Sequence, residues 1–383
     1  MPPCGLGVNQ KITRVNFVAG KACLGSFYKR EVLSAAGCAG VFVMTDRKIR
    51  NMEEFSSVSG ISRPTVSKYF NDPGSVRRST RDKIERALGQ YDFRPNLFAM
   101  NQNRKATRNI GIVVPHSADP FFAEIVRLIE RRCIDAGYWA ILLSSHGEAE
   151  LEASALDLLW SLKPAGAIIA PLGERSDRTR ITQFLRDVPT VIFDSALGNA
   201  EAFVGTNNFQ SIGLIVDYLC SSGEPPCFLE MPAVNDNAQE RRLAYIHAME
   251  RQGLTPHVVP VTGGDWSFEQ LGYTEGLRLL SHHAFPTSTV LCANDRIAIG
   301  LLAAAYERGL RVGNGPGCAL RIAGHDDHPL SRFTCPPLTT VAQDHAAIAE
   351  RSVNALFDMI EEGGPRDRPP VRLEGKLIRR LSA

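Results

Sequence analysis

The chain has 383 residues, 44% of them apolar and 22% charged, which is long enough for two or three domains with real cores and excludes a disordered or fibrous protein. Its longest apolar run, Ala35–Met44, falls well short of the roughly 18 residues a membrane span needs. A net charge of +2 conceals an asymmetry: residues 45–108 carry 14 Lys/Arg against 7 Asp/Glu, whereas residues 109–383 carry 24 against 33. A basic head on an acidic body implies a polyanionic partner for the head alone. The 9 cysteines lack CxxC pairs or ligand-like spacing to histidine, so neither a disulfide framework nor a structural zinc is expected, and free thiols suit a reducing cytosol.

In chain order, residues 1–44 show no sustained period of 2 or 3.6 and are read as a disordered arm or a mis-assigned start, with translation beginning at Met44. Residues 45–94 read as three short helices. Asn51 caps the first, with Glu53 and Glu54 in its first turn and Met52, Phe55 and Val58 as its apolar face. Gly60 ends it, and Ser62 caps a second helix in which Pro64 is tolerated in the first turn. Val66 and Phe70 point inward there, leaving Arg63, Thr65, Ser67 and Lys68 outward. "NDPG" at 71–74 is a turn. Ser79 is expected to cap the third helix, with Ile84 and Leu88 facing the core. Two short helices around a glycine corner, the second bearing small polar and basic groups, suit a helix-turn-helix reader of the major groove. The alternative is a small helical bundle with a solvated basic face.

The stretch "ISRPTVSKYFNDPGSVRRSTRDKIERALGQYDFRPN" resembles the amino-terminal signature of the lactose-repressor (LacI) family of bacterial transcription regulators. The resemblance rests on Ser62, Thr65-Val66-Ser67, Asn71, Val76, Thr80-Arg81 and Arg94-Pro95-Asn96, and extends over about 47–383. It implies that Arg63, Pro64 and Lys68 read operator bases. Arg63 is the expected guanine reader through its fork to O6 and N7, while Pro64, which cannot donate, is limited to a thymine methyl or to shape. Ser62, Thr65, Ser67 and Asn71 are expected to hold phosphates. In the family, residues corresponding to 95–108 form a hinge that wedges a leucine into the minor groove. Here Asn96 is a candidate cap for a short hinge helix, and Gln102 stands where the wedge leucine would be. Glutamine can read the minor-groove edge but intercalates poorly, so the kink is expected to be weaker or supplied by Phe98 or Met100.

From residue 109 onward, short apolar runs ("NIGIVV", "WAILLS", "AGAIIAP", "VPTVIFD", later "PCFLE", "TVLC", "LRIAG") alternate with amphipathic segments. That pattern means parallel sheets flanked by helices, an α/β architecture. Two such sheets resemble the two-lobed periplasmic-sugar-binding-protein design that the same family carries. Its first lobe is expected at about 109–200 plus 335–360, with the second taking the remainder of 109–383 and the chain crossing three times.

Ligands gather at carboxyl ends of strands in such sheets, which nominates Asp119, Phe121, Phe122, Asp194, Asp295 and His325. By resemblance, Asp295 in "CANDRIAIG" binds effector hydroxyls, although it could instead cap the following helix. Phe121 and Phe122 resemble an aromatic platform, or else seal a helix on the sheet. In "NAQERRLAY", either Gln239 or Arg241 is expected to reach the cleft, and Trp266 offers a second ring face. His325 either sets specificity in the cleft or fixes Asp327. "HDDH" at 325–328 is not read as a metal site, because adjacent side chains diverge, and no cofactor is expected. Serine–histidine–acid, Walker and dinucleotide patterns are missing from the sequence, so an enzyme is not expected. The reading is a cytoplasmic, homodimeric repressor of a near-palindromic double-stranded operator, controlled by a small effector, a sugar or polyol ahead of a purine or other metabolite. The competing class is a transporter-associated sugar-binding protein, which would need a secretory segment and no basic head.

Overall fold

The computed structural model describes residues 49–71, 73–91, 93, 107–198, 202–263, 266–363 and 368–383. The chain divides into two units, Met1–Pro95 and Asn96–Ala383. The arm at 1–44 and the hinge positions Asn96 and Gln102 lie outside the described residues.

Local chemistry sets each end of the first helix. Helix α1 (Met52–Ser59) begins at Asn51, whose side-chain oxygen accepts the Glu54 N–H at 2.8 Å, satisfying a donor the helix itself cannot. It ends at Gly60, whose φ of +65° a side chain would disfavour. Helix α2 (Arg63–Asn71) follows at once: the Ser62 carbonyl accepts the Val66 N–H at 3.0 Å, and the Ser62 and Thr65 hydroxyls pair at 2.8 Å. Helix α3 (Arg78–Tyr91) starts one residue before Ser79, so Ser79 is not its cap; the Arg77 carbonyl takes the first turn's N–H groups. Phe55, Val66, Ala87 and Phe93 form the core, with the Phe55 and Phe93 rings stacked at 4.7 Å.

In the larger unit, strands β1 (Asn109–Val114), β2 (Trp139–Ser144), β3 (Gly166–Ile169), β4 (Thr190–Phe193), β5 (Phe203–Thr206) and β11 (Val371–Leu373) make one parallel sheet in the order β11-β5-β4-β3-β1-β2. Alternation assigns its faces. Ile110, Ile112 and Ile168 pack on α4 (Pro120–Asp135) and α11 (His345–Glu362), while Val113, Ala167 and Ile169 pack on α5 (Ala149–Leu162) and α6 (Arg178–Asp187). The second sheet, β7-β6-β8-β9, joins Val258–Val259, Cys227–Leu229, Thr289–Cys292 and Arg321–Ala323, all parallel. Helices α7 (Asn208–Ser222) and α8 (Asp236–Arg251) cover one face, and α9 (Phe268–Ser281) and α10 (Asp295–Glu307) the other.

The first lobe is therefore larger than expected from sequence. It takes in 203–206 and 371–373, where the expectation ended it near 200 and 360. Parallel pairing explains the difference: Phe203 and Val204 register with Ile192 and Phe193, and Val371 with Val204, which completes the edge of the first sheet.

The three crossings between lobes are stitched together. The Thr206 hydroxyl donates to the Gln343 side-chain oxygen, the Asn207 N–H to the Leu373 carbonyl at 2.8 Å, and the Gly375 N–H to Gln210 Oε1 at 2.8 Å. A short antiparallel ladder, β10 (Thr340–Ala342) with β12 (Lys376–Ile378), runs beside them.

Candidate functional site

In the small unit, α2 presents Arg63, Pro64 and Lys68 to solvent, with Ser62 exposed just before the helix and Thr65 and Ser67 half-buried. The inward residue, Val66, is fully buried. One short helix thus carries both a core face and an exposed polar and basic face. Arg63 Nη1 meets Glu53 Oε1 of α1 at 3.0 Å, a pair open to water on both sides. The backbone of Asn71 belongs to α2.

In the large unit, a cavity lies between the lobes at the carboxyl ends of the strands. The first lobe supplies Asp119, Phe121, Phe122 and Asp194; the second supplies Met231, Asn235, Asn237, Arg241, Trp266, Phe268, Asn294, Arg296 and Asp326; Gln343 comes from a crossing. Its walls are aromatic: Trp266 lies 6.0 Å from Phe122 and 5.5 Å from Phe268, ring centre to ring centre.

The polar floor is centred on Asp326. Its Oδ1 accepts from Arg241 Nη2 at 2.9 Å and from Gln343 Nε2 at 2.7 Å, and pairs with His325 Nδ1 at 2.9 Å. Burial opposes its charge, yet Arg241, His325 and Gln343 together hold its carboxyl well below the usual range. Arg241 also donates to the Ala293 carbonyl at 2.8 Å and to Asn208 Oδ1 at 3.2 Å. Asp194 has a different balance. Burial pushes it up to about 7 against the pull of Arg241, and the charges of Asp326 and Asp119 add to the rise.

Direct bonds close the lobes on one another. Asp119 caps α4 through the Phe121 N–H at 3.0 Å, and its other oxygen takes Arg296 Nη1 at 2.8 Å across the cleft. Arg296 is also forked onto Glu269, at 2.8 and 2.6 Å. Asn237 Nδ2 donates to Asp194 Oδ1 at 2.9 Å, again from one lobe to the other. Two buried polar atoms beside the cavity lack partners among the described residues: Asn235 Oδ1 and Trp266 Nε1. Such atoms are costly unless something completes them.

Residues 51–96 match the family model described as bacterial regulatory proteins, lacI family, and residues 206–383 match that of a periplasmic binding protein-like domain. The chain thus carries the regulatory domain of the lacI family at 51–96, ahead of a periplasmic binding protein-like domain. The ribose operon repressor of Escherichia coli (strain K12) is 28% identical over 314 residues, covering 81% of this chain and 93% of that protein. The HTH-type transcriptional repressor PurR of Pasteurella multocida (strain Pm70) is 27% identical over 333 residues, covering 86% and 98%. In fold, the chain is similar to the crystal structure of the lac repressor dimer bound to operator and the anti-inducer ONPF, with a TM-score of 0.74 at 24% identity over 87% of this chain and 98% of that one. The chain is a DNA-binding transcriptional regulator controlled by a small-molecule effector.

Within the regulator's cleft, Asp119, Phe121, Phe122, Asp194, Arg241 and Trp266 line the cavity. Three nominated residues do not. Asp295 is fully buried behind the cavity, its carboxylate accepting from the His328 N–H at 2.8 Å, the Ser331 hydroxyl at 2.6 Å and the Thr340 hydroxyl at 2.5 Å. Burial and the nearby Asp326 push it up to about 7. It is not the helix cap either: Asn294 is, through the Ile297 N–H at 2.9 Å, and Asn294 and Arg296 reach the cavity from either side of it. His325 is also fully buried, between the Ser211 hydroxyl at 2.9 Å and Asp326, so it fixes Asp326 and not Asp327. Its burial and the nearby Arg241 lower it to about 4 and keep it neutral. Gln239 is exposed, because Asn237 and Arg241, four apart, share the inward face of α8 while Gln239 is turned away.

Sequence reading missed Asn235, Asn237, Arg296 and Gln343. The i, i+4 spacing of Asn237 and Arg241 was a usable signal. Arg296 and Gln343 offered none, since each acts through a partner more than 100 residues away or across a crossing.

Proposed function

We propose that this regulator is a repressor acting in the cytoplasm by binding and not by turnover. It would sit as a homodimer on a near-palindromic operator and respond to an uncharged sugar or polyol held between the lobes. The observation that carries the effector class is the cavity's mixture of aromatic walls with carboxylates and side-chain amides. Rings cover the C–H faces of a sugar, and carboxylates and amides take its hydroxyls. Arg241 is already spent on Asp326 and Arg296 on Asp119 and Glu269. A phosphate or carboxylate ligand would therefore face Asp194 and Asp326 without a free counter-charge. The ribose operon repressor among the relatives supports the same reading.

On this reading Asp194, Asn235, Asn237, Asn294 and Asp326 bind hydroxyls, Phe121, Phe122 and Trp266 stack, and Arg241 positions Asp326. Asp295 and His325 are positioning residues behind them. In the head, Arg63, Pro64 and Lys68 meet base edges, Ser62, Thr65, Ser67 and Asn71 hold phosphates, and Asn96 and Gln102 belong to the hinge. Twofold symmetry would set two α2 helices in major grooves one helical turn or a multiple apart. Leu330, Phe333 and Leu381 are exposed apolar side chains that a second copy would cover.

The test is titration of a sugar, polyol and purine panel into the full chain by calorimetry, alongside a gel shift on DNA flanking its own gene. A saturable, salt-weakened complex whose affinity one sugar alters is the expected result. Binding only to purines, or equal affinity for any duplex with and without sugars, would overturn the proposal.

A further inference from the structure

Trp266 belongs to the second lobe, just ahead of α9, yet it is packed into the first. Its ring stands 6.0 Å from Phe122 on α4 and 6.2 Å from His116, which follows β1. The ring edge meets Gly147, in the turn between β2 and α5, where a Cβ would stand 2.5 Å from Nε1 and 2.7 Å from Cδ1. Gly147 also has φ +75°, so both its backbone and the space the indole takes require glycine. Within its own lobe the ring rests on Phe268 at 5.5 Å. Trp266 ends only 8% exposed, and its Nε1 has no partner among the described residues, so packing holds it in place.

Arg296 closes the same seam from a second point. Its guanidinium, on α10, is forked onto Glu269 and lies 5.0 Å from the centre of the Phe268 ring, and Nη1 reaches Asp119 across the cleft at 2.8 Å. Fork and ring already hold the guanidinium, so reaching Asp119 orders no further side chain in the second lobe. Asp119 is equally fixed, because its other oxygen caps α4. With side chains 16% and 8% exposed, the pair is shielded from the water that weakens surface pairs. A further bond joins the lobes at Gly173: the Glu174 N–H donates to Asp236 Oδ1 at 3.1 Å, and a Cβ on Gly173 would stand 2.2 Å from that oxygen. All of these contacts are made between groups of the chain itself.

We propose that Trp266 and Arg296 form a clasp that holds the two lobes shut through the chain's own contacts, with Gly147 as its seat and Asp119 as its catch. Closure then precedes the effector. Ligands of the cavity exchange during openings in which Trp266 lifts from Gly147 and Arg296 leaves Asp119. A ligand shifts such an equilibrium only by preferring one form, so the strength of the clasp sets the closed population on which an effector acts. The inference deepens the reading of the cavity as the effector site, and it requires no particular effector.

The test uses no ligand. Trp139→Phe and Trp160→Phe leave Trp266 as the single indole of the full chain, and acrylamide quenching of its fluorescence then reports opening. In this background quenching should be well below that of the urea-unfolded chain. Gly147→Ala, which crowds the seat, and Asp119→Asn should each raise the quenching constant at least about threefold. Asparagine keeps the cap on α4 and gives up the charge that holds Arg296. Joining Asp119→Asn to Arg296→Gln should add little to the stronger single variant, as expected of partners in one pair. Cooperative melting curves identify the folded variants, and each of the two single variants tests the clasp on its own. Quenching in the background protein as strong as in the folded variants, or no rise in either folded variant, overturns the clasp. Neither result touches the sugar reading, which the calorimetric panel tests separately.

Discussion

Two arginine–carboxylate pairs of almost equal length do opposite work in this molecule. Arg241 and Asp326 meet at 2.9 Å with their side chains 6% and 19% exposed, and Arg63 and Glu53 meet at 3.0 Å with 64% and 74% exposed. The first pair is desolvated and fixed by further bonds to Asn208, Ala293 and Gln343. The second is bathed in water, where such contacts contribute little. Distance alone therefore says nothing about role. Arg241, on the floor of a cavity, is buried and fully committed. Arg63, the base reader proposed above, is left where a guanine could displace its present partner.

The largest effect that would break this contrast concerns Arg241. Arg241→Ala leaves Asp326 buried without its main counter-charge, and about 3–5 kcal/mol of stability should be lost in urea unfolding of the full chain. A loss below about 1 kcal/mol would place Arg241 with Arg63 as a dispensable surface partner.

Asp194→Asn comes next. Burial raises Asp194 from the ordinary carboxyl range to about 7. A raised carboxyl stabilises the fold fully below its unfolded value, and that contribution is lost as pH climbs from about 4 through about 7. The asparagine variant should therefore match the parent near pH 4 and exceed it near pH 8 by up to a few kcal/mol. Asparagine also tolerates this position's φ of +64°. Parallel melting curves for the two proteins across that range would remove the assigned desolvation.

Arg63→Ala should cost about 1–3 kcal/mol of operator discrimination while changing affinity for random duplex only slightly. Competition gel shifts measure the ratio, and an unchanged ratio would strip Arg63 of base reading. The smallest effect is at its partner: Glu53→Gln should alter stability by less than about 1 kcal/mol in the same urea assay.

The same contrast explains what the sequence made legible. The proposed DNA reader occupies contiguous sequence, so the corner, most core positions and the outward residues follow from spacing; the errors are Ser79, which lies inside its helix, and Val58, expected on the apolar face of α1 but exposed. The cavity draws on segments from Asp119 to Gln343. Spacing located the right strand ends but not which neighbour faces inward. At 294–296 the carboxylate looked like the ligand, yet it is buried behind the asparagine and arginine that flank it. At 325–326 the histidine was a candidate for the cleft or for fixing Asp327, yet it is the strut behind Asp326. The edge of the first sheet was missed because a three-residue strand, Val371–Leu373, carries too little pattern to show which sheet it joins.

Gln343 touches Thr206 at one crossing and Asp326 on the cavity floor. The floor of the cavity and a crossing between the lobes are thus joined through one side chain, two hydrogen bonds deep, and loss of Gln343 would disturb both at once.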